Sequence, residues 1–244
     1  MKKRVNLVIV ITIICALASM LQTRDKTMKI KETMAAGKEG IQVEEKYSVE
    51  KTQEKTPNAG TRKIALTFDD GPHPQYTEQL LDGLKERGVK ATFFVTGEHA
   101  ELHPDIIERM SEEGHLIGNH TYSHIQLSPG NREEFKNQLI KTNEIINEIT
   151  GKEVLYVRPP YGTWDKKFET ELNMFPVLWT VDPRDWCSDN VTCITEKVVS
   201  KAGENDIILL HDYYETSVTA ALRIVDELQA EGYEFVTVEE ILFD

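Results

Sequence analysis

The stretch "KIALTFDDGPH" (Lys63–His73) joins a short apolar run to two adjacent aspartates and a Gly-Pro turn. A short apolar run that ends at a turn is typical of a buried strand. Asp69 and Asp70 therefore follow the carboxyl end of this strand. Adjacent side chains on a strand point to opposite sides, so one carboxylate is free to ligate a metal while the other faces a substrate. The alternative is an ordinary turn that ends a strand.

Apolar runs typical of strands alternate with amphipathic segments typical of helices from Lys63 onward, a pattern that implies a parallel sheet covered by helices. We predict a closed or nearly closed (β/α) barrel of about seven parallel strands, in a single domain over 63–244. An open doubly wound sheet is the alternative, but it would spread out the polar residues that follow the predicted strands. A barrel brings such residues together on one face. They are Asp69, Asp70, His120, Arg158, Asp182 and His211.

The length and composition of the chain limit its class. A chain of 244 residues is long enough for one domain with a full core. Apolar residues make up 40% and charged residues 28%, which is ordinary for a globular protein. The formal net charge of −13 argues against a nucleic-acid binder, because such proteins present a basic surface.

The chain begins with "MKKR" and continues into an apolar run from Val5 to Leu21. Its length lies between that of a signal-peptide core and that of a membrane-spanning helix. Ala16-Leu17-Ala18 fits the cleavage pattern of a signal peptidase, and an uncleaved anchor stays open. We therefore expect residues 1–21 to be a signal peptide or a membrane anchor. The remainder would be extracellular or held at the outer face of the cytoplasmic membrane.

Residues 22–62 are rich in Lys, Glu, Thr and Gln and show no apolar periodicity. Such a segment cannot bury enough surface to fold alone, so we predict a disordered tether.

In an exported chain, the pair Cys187 and Cys193 indicates a disulfide, with two free thiols as the alternative.

Two histidines in "HTYSH", His120 and His124, are four residues apart. On a helical turn these positions share a face, so both imidazoles would reach one ion. The spacing alone is a weak signal, since most such pairs bind nothing. Together with one strand-end aspartate, the pair would leave coordination positions open, as in catalytic zinc sites. A metal held in this way activates water and polarises a carbonyl.

A hydrolytic site also needs a proton donor, and His211 at the end of "DIILLH" is the candidate. A carboxylate in "DPRDW" (Asp182–Trp186) would raise the pKa of His211 and favour its donor form. Arg158 would aim a carboxylate base, and Trp186 would form one wall of a pocket for a sugar. In "RPPYG" two prolines stiffen the loop and leave the N–H of Tyr161 free for a substrate oxygen. The alternatives are a core histidine, a surface arginine and a core tryptophan.

These segments resemble the five ordered motifs of the polysaccharide deacetylases, also called carbohydrate esterase family four. They read "TFDDGP", "HTYSH", "RPPY", "DPRDW" and "LLH", and the resemblance covers roughly 63–244. It implies a distorted (β/α) barrel and a metal that is typically zinc, with cobalt or manganese as alternatives. It also implies a role for each matching residue. Asp69 is the base, His211 the acid, Arg158 and Asp185 tune the base and the acid, and Asp70, His120 and His124 bind the metal; the Tyr161 N–H binds the oxyanion, and Pro159, Trp186 and Leu209 line the pocket.

The resemblance implies a hydrolase that removes acetyl groups from N-acetylated sugars. A basic start, an apolar run and a tether suit a bacterial envelope protein, so peptidoglycan N-acetylglucosamine is the expected substrate. Chitin oligomers and acetylated xylan are rival substrates, and a non-catalytic glycan-binding module is a rival class. We expect a glycan partner, contact of the N-terminal segment with a membrane, no nucleic acid and a monomer. His73 is expected at the rim of the site.

Overall fold

The computed structural model describes residues 62–243, which alternate strands with helices as the sequence predicts. The strands are Arg62–Asp69 (β1), Thr92–Val95 (β2), Leu116–Asn119 (β3), Tyr156–Val157 (β4), Phe175–Pro176 (β5), Ile207–His211 (β6) and Tyr233–Val236 (β7). The α-helices are Tyr76–Glu86 (α1), Gly97–Leu102 (α2), Pro104–Glu112 (α3), Arg132–Thr150 (α4), Lys167–Leu172 (α5), Val191–Val199 (α6), Glu215–Ala230 (α7) and Val238–Phe243 (α8). Two short 3₁₀ turns, Pro160–Gly162 and Asp185–Cys187, lie in loops.

The seven strands form one parallel sheet in the order β5-β4-β3-β2-β1-β6, with β7 paired to the first half of β1. The sheet curls because β5 continues into a segment that reaches β6. Val177 N–H donates to the Val157 carbonyl on β4, and Val181 pairs in parallel with Ile208 on β6. Segment 175–181 thus spans the two edges, and the predicted (β/α) barrel is confirmed in a curled, distorted form.

The central strand β1 separates the core into two layers. Ile64, Leu66 and Phe68 are buried in the large cluster that the sheet forms with the surrounding helices. Ala65 belongs to a second buried cluster with Phe94, and the same strand face carries Thr67 and Asp69. The face that points inside the barrel is therefore apolar at its start and polar at its end, which places the site at the carboxyl ends of the strands.

The predicted strand over "PVLWTVD" is shorter than expected, since only Pro176 belongs to β5 and Val181 makes an isolated bridge. Beyond β5, two backbone carbonyls of this segment bind the buried guanidinium of Arg158. Its Nε and Nη2 donate to the carbonyls of Val177 and Leu178, both at 3.1 Å. This part of the segment is therefore held by a buried side chain as well as by strand pairing.

The expected disulfide between Cys187 and Cys193 is not formed, and both residues are free thiols. The Cys187 side chain is exposed and contacts its own 3₁₀ turn, where its Sγ lies 3.2 Å from the Arg184 carbonyl. Cys193 lies in the first turn of α6, which begins between the two cysteines and is capped by the side chain of Asn190.

The predicted signal or anchor segment (1–21) and the tether lie outside the described residues, except that Arg62, assigned to the tether, is the first residue of β1. Within 62–243, no helix combines the length and apolar character needed to span a membrane.

Candidate active site

The two adjacent aspartates diverge because the backbone changes conformation between them. Asp69 is the last residue of β1, whereas Asp70 has a φ of 75°, in the left-handed region. This rotation brings both carboxylates to the barrel mouth despite the alternation of a strand. Gly71 serves another purpose, because a methyl group there would overlap the carboxylate of Asp212. The predicted division of roles, with Asp69 as the base and Asp70 as a metal ligand, therefore depends on the backbone conformation of Asp70 rather than on the conformational freedom of Gly71.

Asp70, His120 and His124 form a cluster whose ligand atoms all lie within 4.8 Å of one another. Each histidine Nε2 lies 3.4 Å from Asp70 Oδ1. That oxygen is buried and has no hydrogen-bond partner among the described residues. Three ligand atoms facing one point, with one of them unsatisfied, is the arrangement that a cation would complete.

The tautomer of His120 suits a ligand. Its Nδ1 lies 2.5 Å from the Arg158 carbonyl, which can only accept, so Nδ1 carries the hydrogen and Nε2 has a free lone pair. Burial lowers the pKa of His120, but the charges of Asp69 and Asp70 outweigh it and raise the pKa. Burial likewise opposes ionisation of Asp70, yet its contacts with His120 lower its pKa to about 2. The site is thus electrostatically built for a positive charge beside two carboxylates.

The two histidines share the site for a reason different from the one the sequence predicts. They do not lie on a helical turn: residues 120–124 form an irregular loop after β3. Thr121 and His124 have φ values of 62° and 54°, and this left-handed backbone returns the second imidazole towards the first. The ring centroids lie 4.9 Å apart.

Arg158 holds Asp69 in place. Its Nη1 donates to Asp69 Oδ1 at 2.9 Å and to Thr67 Oγ1 at 2.7 Å. The guanidinium is fully buried, and its remaining donors go to the carbonyls described above, so its orientation is fixed. Asp69 Oδ2 lies 3.8 Å from His120 Nε2, which places the second oxygen at the edge of the metal cluster. The arrangement fits a carboxylate aimed at whatever that cluster binds.

His211 and Asp185 form a second ion pair at the neighbouring strand end. The Nδ1 of His211 donates to Asp185 Oδ1 at 2.9 Å, and its backbone N–H donates to Oδ2 at 2.8 Å. Burial lowers the pKa of His211, but the hydrogen bond and charge of Asp185 outweigh it and raise the pKa to about 9. The imidazole is therefore protonated at neutral pH, and Nε2 is the nitrogen left free to donate.

A cavity of about 380 Å³ joins these groups. Its walls include the following predicted site residues: Asp69, Asp70, His120, His124, Pro159, Tyr161, Trp186, Leu209 and His211. Tyr161 has a φ of 59°, and its N–H makes no hydrogen bond within residues 62–243. Arg158 and Asp185 lie behind the wall, where they contact the base and the acid.

Sequence reasoning missed three residues of the site. Trp179 and Tyr214 also line the cavity, and Asp212 is fully buried behind the turn at Gly71, with Thr77 as its partner. Burial raises the pKa of Asp212 to about 7. The position of Asp212 and Tyr214 in the sequence could have indicated their place at the site, because both residues follow closely after the strand end at His211. Asp182, noted in the sequence, lines the cavity too.

Comparisons with known proteins agree with this geometry. A family model described as polysaccharide deacetylase matches residues 56–177. A peptidoglycan-N-acetylglucosamine deacetylase of Bacillus cereus is 43% identical over 182 residues, and the match covers 72% of this chain and 66% of that protein. A peptidoglycan-N-acetylmuramic acid deacetylase of Bacillus subtilis, PdaC, is 41% identical over 189 residues, which cover 78% of this chain and 40% of that protein.

The solved structure of the peptidoglycan deacetylase PdaC from Bacillus subtilis has the same fold, with a TM-score of 0.71 at 41% identity, and the match covers 75% of this chain and 90% of that one. In the sequence comparisons, the chain spans slightly less than two thirds of the length of the Bacillus cereus relative and two fifths of the length of the Bacillus subtilis relative. The order of the motifs, the curled parallel sheet and these matches agree, and the chain belongs to the polysaccharide deacetylase family.

Proposed function

We propose that the protein is a metal-dependent hydrolase that removes acetyl groups from the N-acetylglucosamine residues of peptidoglycan and releases acetate. One observation carries the proposal. Asp69 and His211 are directly paired in the parallel register of β1 and β6, and each is held by its own ion-pair partner. A carboxylate and a protonated imidazole therefore face one cavity beside a cluster of metal-ligand atoms, which is what amide hydrolysis needs.

The residues present fit a divalent metal. Asp70, His120 and His124 would hold it through one oxygen and two nitrogens, a donor set that suits zinc, with cobalt or manganese as alternatives. The unpartnered Oδ1 of Asp70 supports this assignment. A metal bound there would supply Lewis acidity, which polarises the acetamide carbonyl and makes water more acidic.

The side chains of this protein then carry the proton transfers. Asp69, aimed by Arg158, takes a proton from the water that attacks the acetyl carbonyl. The N–H of Tyr161 donates to the oxygen that becomes negatively charged. His211 gives its proton to the departing sugar nitrogen, so that the products are acetate and a free amine. Leu209 and Trp186 line the wall of the cavity and suit an acetyl methyl group.

The choice of peptidoglycan rests on the relatives, whose names specify N-acetylglucosamine or N-acetylmuramic acid in that polymer. Because the chemistry serves amides and esters alike, chitin oligomers and acetylated xylan are the rival substrates. The test is acetate release from purified peptidoglycan, chitin oligomers and acetylxylan in parallel. Release that is fastest from peptidoglycan supports the proposal. Release from xylan alone would assign an esterase, and release from none would favour the glycan-binding module.

We further propose that residues 1–21 direct export, that residues 22–61 form a tether and that residues 62–244, which now include Arg62 of β1, carry the catalysis, as a monomer at the cell envelope. The support is the basic start and apolar run of the sequence. Fractionation of cells that express the full chain tests this proposal, with recovery in the membrane or the medium as the expected result. Recovery in the cytoplasm would contradict it.

A further inference from the structure

A buried aspartate beside the proposed acid has no part in the mechanism described above. Asp212 follows His211 directly at the end of β6 and is only 1% exposed. Burial raises the pKa of its carboxyl to about 7. Its Oδ1 is buried and has no hydrogen-bond partner among the described residues. Because a buried polar atom without a partner costs stability, such a side chain indicates a role beyond filling space.

The carboxyl group of Asp212 lies against the turn that follows the two adjacent aspartates. It occupies the space that a side chain at Gly71 would need. Its Oδ2 accepts a hydrogen bond from the buried hydroxyl of Thr77 on α1, and Thr77 Oγ1 in turn accepts from the backbone N–H of His73 at 2.8 Å. Asp212 therefore contacts the turn directly at Gly71 and holds it at His73 through Thr77.

The same turn is also held through its backbone carbonyls. The Nδ1 of His99 on α2 donates to the carbonyl of Asp70 at 2.7 Å. The backbone N–H of Thr96 donates to the carbonyl of Gly71 at 3.2 Å. Together with Asp212, these contacts fix the turn from the segments that follow β2 and β6, so its conformation is set by tertiary structure rather than by local sequence.

The conformation of this turn decides where one proposed metal ligand points. Asp70 has its left-handed φ of 75°, which is uncommon for a residue other than glycine and persists where the surrounding structure imposes it. In this conformation Asp70 Oδ1 lies 3.4 Å from the Nε2 atoms of both His120 and His124. A turn released from its contacts would relax towards an extended or right-handed backbone and carry this oxygen away from the two histidines.

From these contacts we propose that Asp212 is a positioning residue for the metal site, which holds the turn after β1 in the conformation that presents Asp70 Oδ1 to the two histidines. The proposal rests on the proposed function, because it takes Asp70, His120 and His124 as the metal ligands. Asp212 acts through the backbone of the turn and not by touching substrate or metal. It contributes its shape and an acceptor oxygen, so an amide of the same shape is expected to serve in its place.

Zinc binding without substrate tests this role separately from turnover. The full chain is stripped with a chelator, and its dissociation constant for zinc is measured by competition with a chromogenic chelator. Asp212→Ala is expected to weaken zinc binding about 10- to 100-fold, the range found for groups that orient metal ligands. Asp212→Asn keeps the shape and the acceptor for Thr77, so its zinc affinity is expected to stay within about threefold of the wild type.

Two further variants locate the effect. Thr77→Val keeps the shape of the side chain but removes the hydroxyl between Asp212 and His73, and it is expected to weaken zinc binding by about threefold to tenfold. Asp206→Ala is the matched control. Asp206 is half-buried at the other end of β6, where its carboxylate also supports a turn by accepting from the Gly203 N–H at 2.7 Å. We expect its removal to leave zinc affinity unchanged.

Thermal unfolding of the zinc-free proteins separates positioning from folding. If Asp212 only stabilised the fold, Asp212→Ala would unfold at a lower temperature but, well below that temperature, would bind zinc as tightly as the wild type. That result overturns the proposal. If Asp212→Ala does not fold, the decision passes to Thr77→Val, and unchanged zinc affinity in that variant overturns the proposal equally. A wild type that binds zinc but releases no acetate overturns the proposed function instead, and the zinc affinities of the variants still decide the role of Asp212.

Discussion

At the scale of single residues, the site depends on two pairs in which one partner aims the other. Arg158 holds Asp69, and Asp185 holds His211, at 2.9 Å in each case. The sequence predicts all four residues through their positions after strands and through the motifs. It does not predict the left-handed conformation of Asp70, because φ > 0 is uncommon for a residue other than glycine and no local sequence pattern marks it here.

Substitution of the proposed base tests the first pair. Asp69→Asn keeps the shape of the side chain but removes its ability to take a proton. We expect the rate of acetate release to fall roughly 10²- to 10⁴-fold while the bound metal is retained. The measurement is acetate release together with elemental analysis of the variant. Asp105→Asn, at an exposed position in the first turn of α3, is the control and is expected to keep full activity. Full activity in Asp69→Asn would remove it from the mechanism.

The second pair predicts a pH dependence. His211 donates a proton only while protonated, that is below its pKa of about 9, so activity is expected to fall as the pH rises through that value. In Asp185→Asn the main partner that raises this pKa is gone while burial still lowers it. We expect the alkaline fall of kcat to move to lower pH by roughly 1–3 units. A profile that keeps its alkaline limb would show that Asp185 does not tune the acid.

At the scale of elements, the strand ends are what the sequence predicts well. β1 and β6 were expected from their apolar runs, and their parallel register pairs Asp69 with His211. Segment 175–181 was predicted less well, since the buried Arg158 takes two of its carbonyls and no local pattern reveals a contact made nineteen or more residues away. The histidine loop was assigned to a helical turn for a related reason. Spacing indicates which residues meet but not the backbone that brings them together.

The turn after β1 provides a prediction at this scale. Gly71 packs against the buried carboxylate of Asp212, and Gly71→Ala would force the two apart. We expect the free energy of unfolding to fall by about 1–3 kcal/mol, with loss of activity because Asp70 moves with the turn. Thermal unfolding measures the first effect and acetate release the second. Gly130→Ala, where the added methyl meets nothing, is the matched control and is expected to change stability by less than about 0.5 kcal/mol. Equal stability of the two variants would contradict the packing argument.

At the scale of the whole molecule, the alternation of elements and the order of the motifs were enough to predict a (β/α) barrel with one site at its mouth. Three residues of the site, Trp179, Asp212 and Tyr214, were not predicted because they carry no motif of their own. The cysteine pair shows the opposite error. The number of cysteines and the expected export favour a bond, but α6 begins between the two cysteines, and Cys187 Sγ contacts the Arg184 carbonyl instead.

The proposed division of the chain is also testable at this scale. Every side chain used in the mechanism lies between Asp69 and His211, so a shortened chain of residues 56–244 is expected to fold and to deacetylate soluble oligomers with the same kcat/KM as the full chain. Circular dichroism and the acetate assay check this. A shortened chain that folds but is inactive would mean that the preceding residues contribute to the site.

The most direct test of the account is a metal titration of acetate release from peptidoglycan. The protein is stripped with a chelator, zinc is added back in steps, and acetate is measured at each step. We predict negligible acetate release without metal and full release at one zinc per chain. The double variant Asp70→Asn/His120→Ala is expected to release no acetate at any zinc concentration. Release that persists in the stripped protein or in that variant would contradict the assignment of Asp70, His120 and His124 as the metal site.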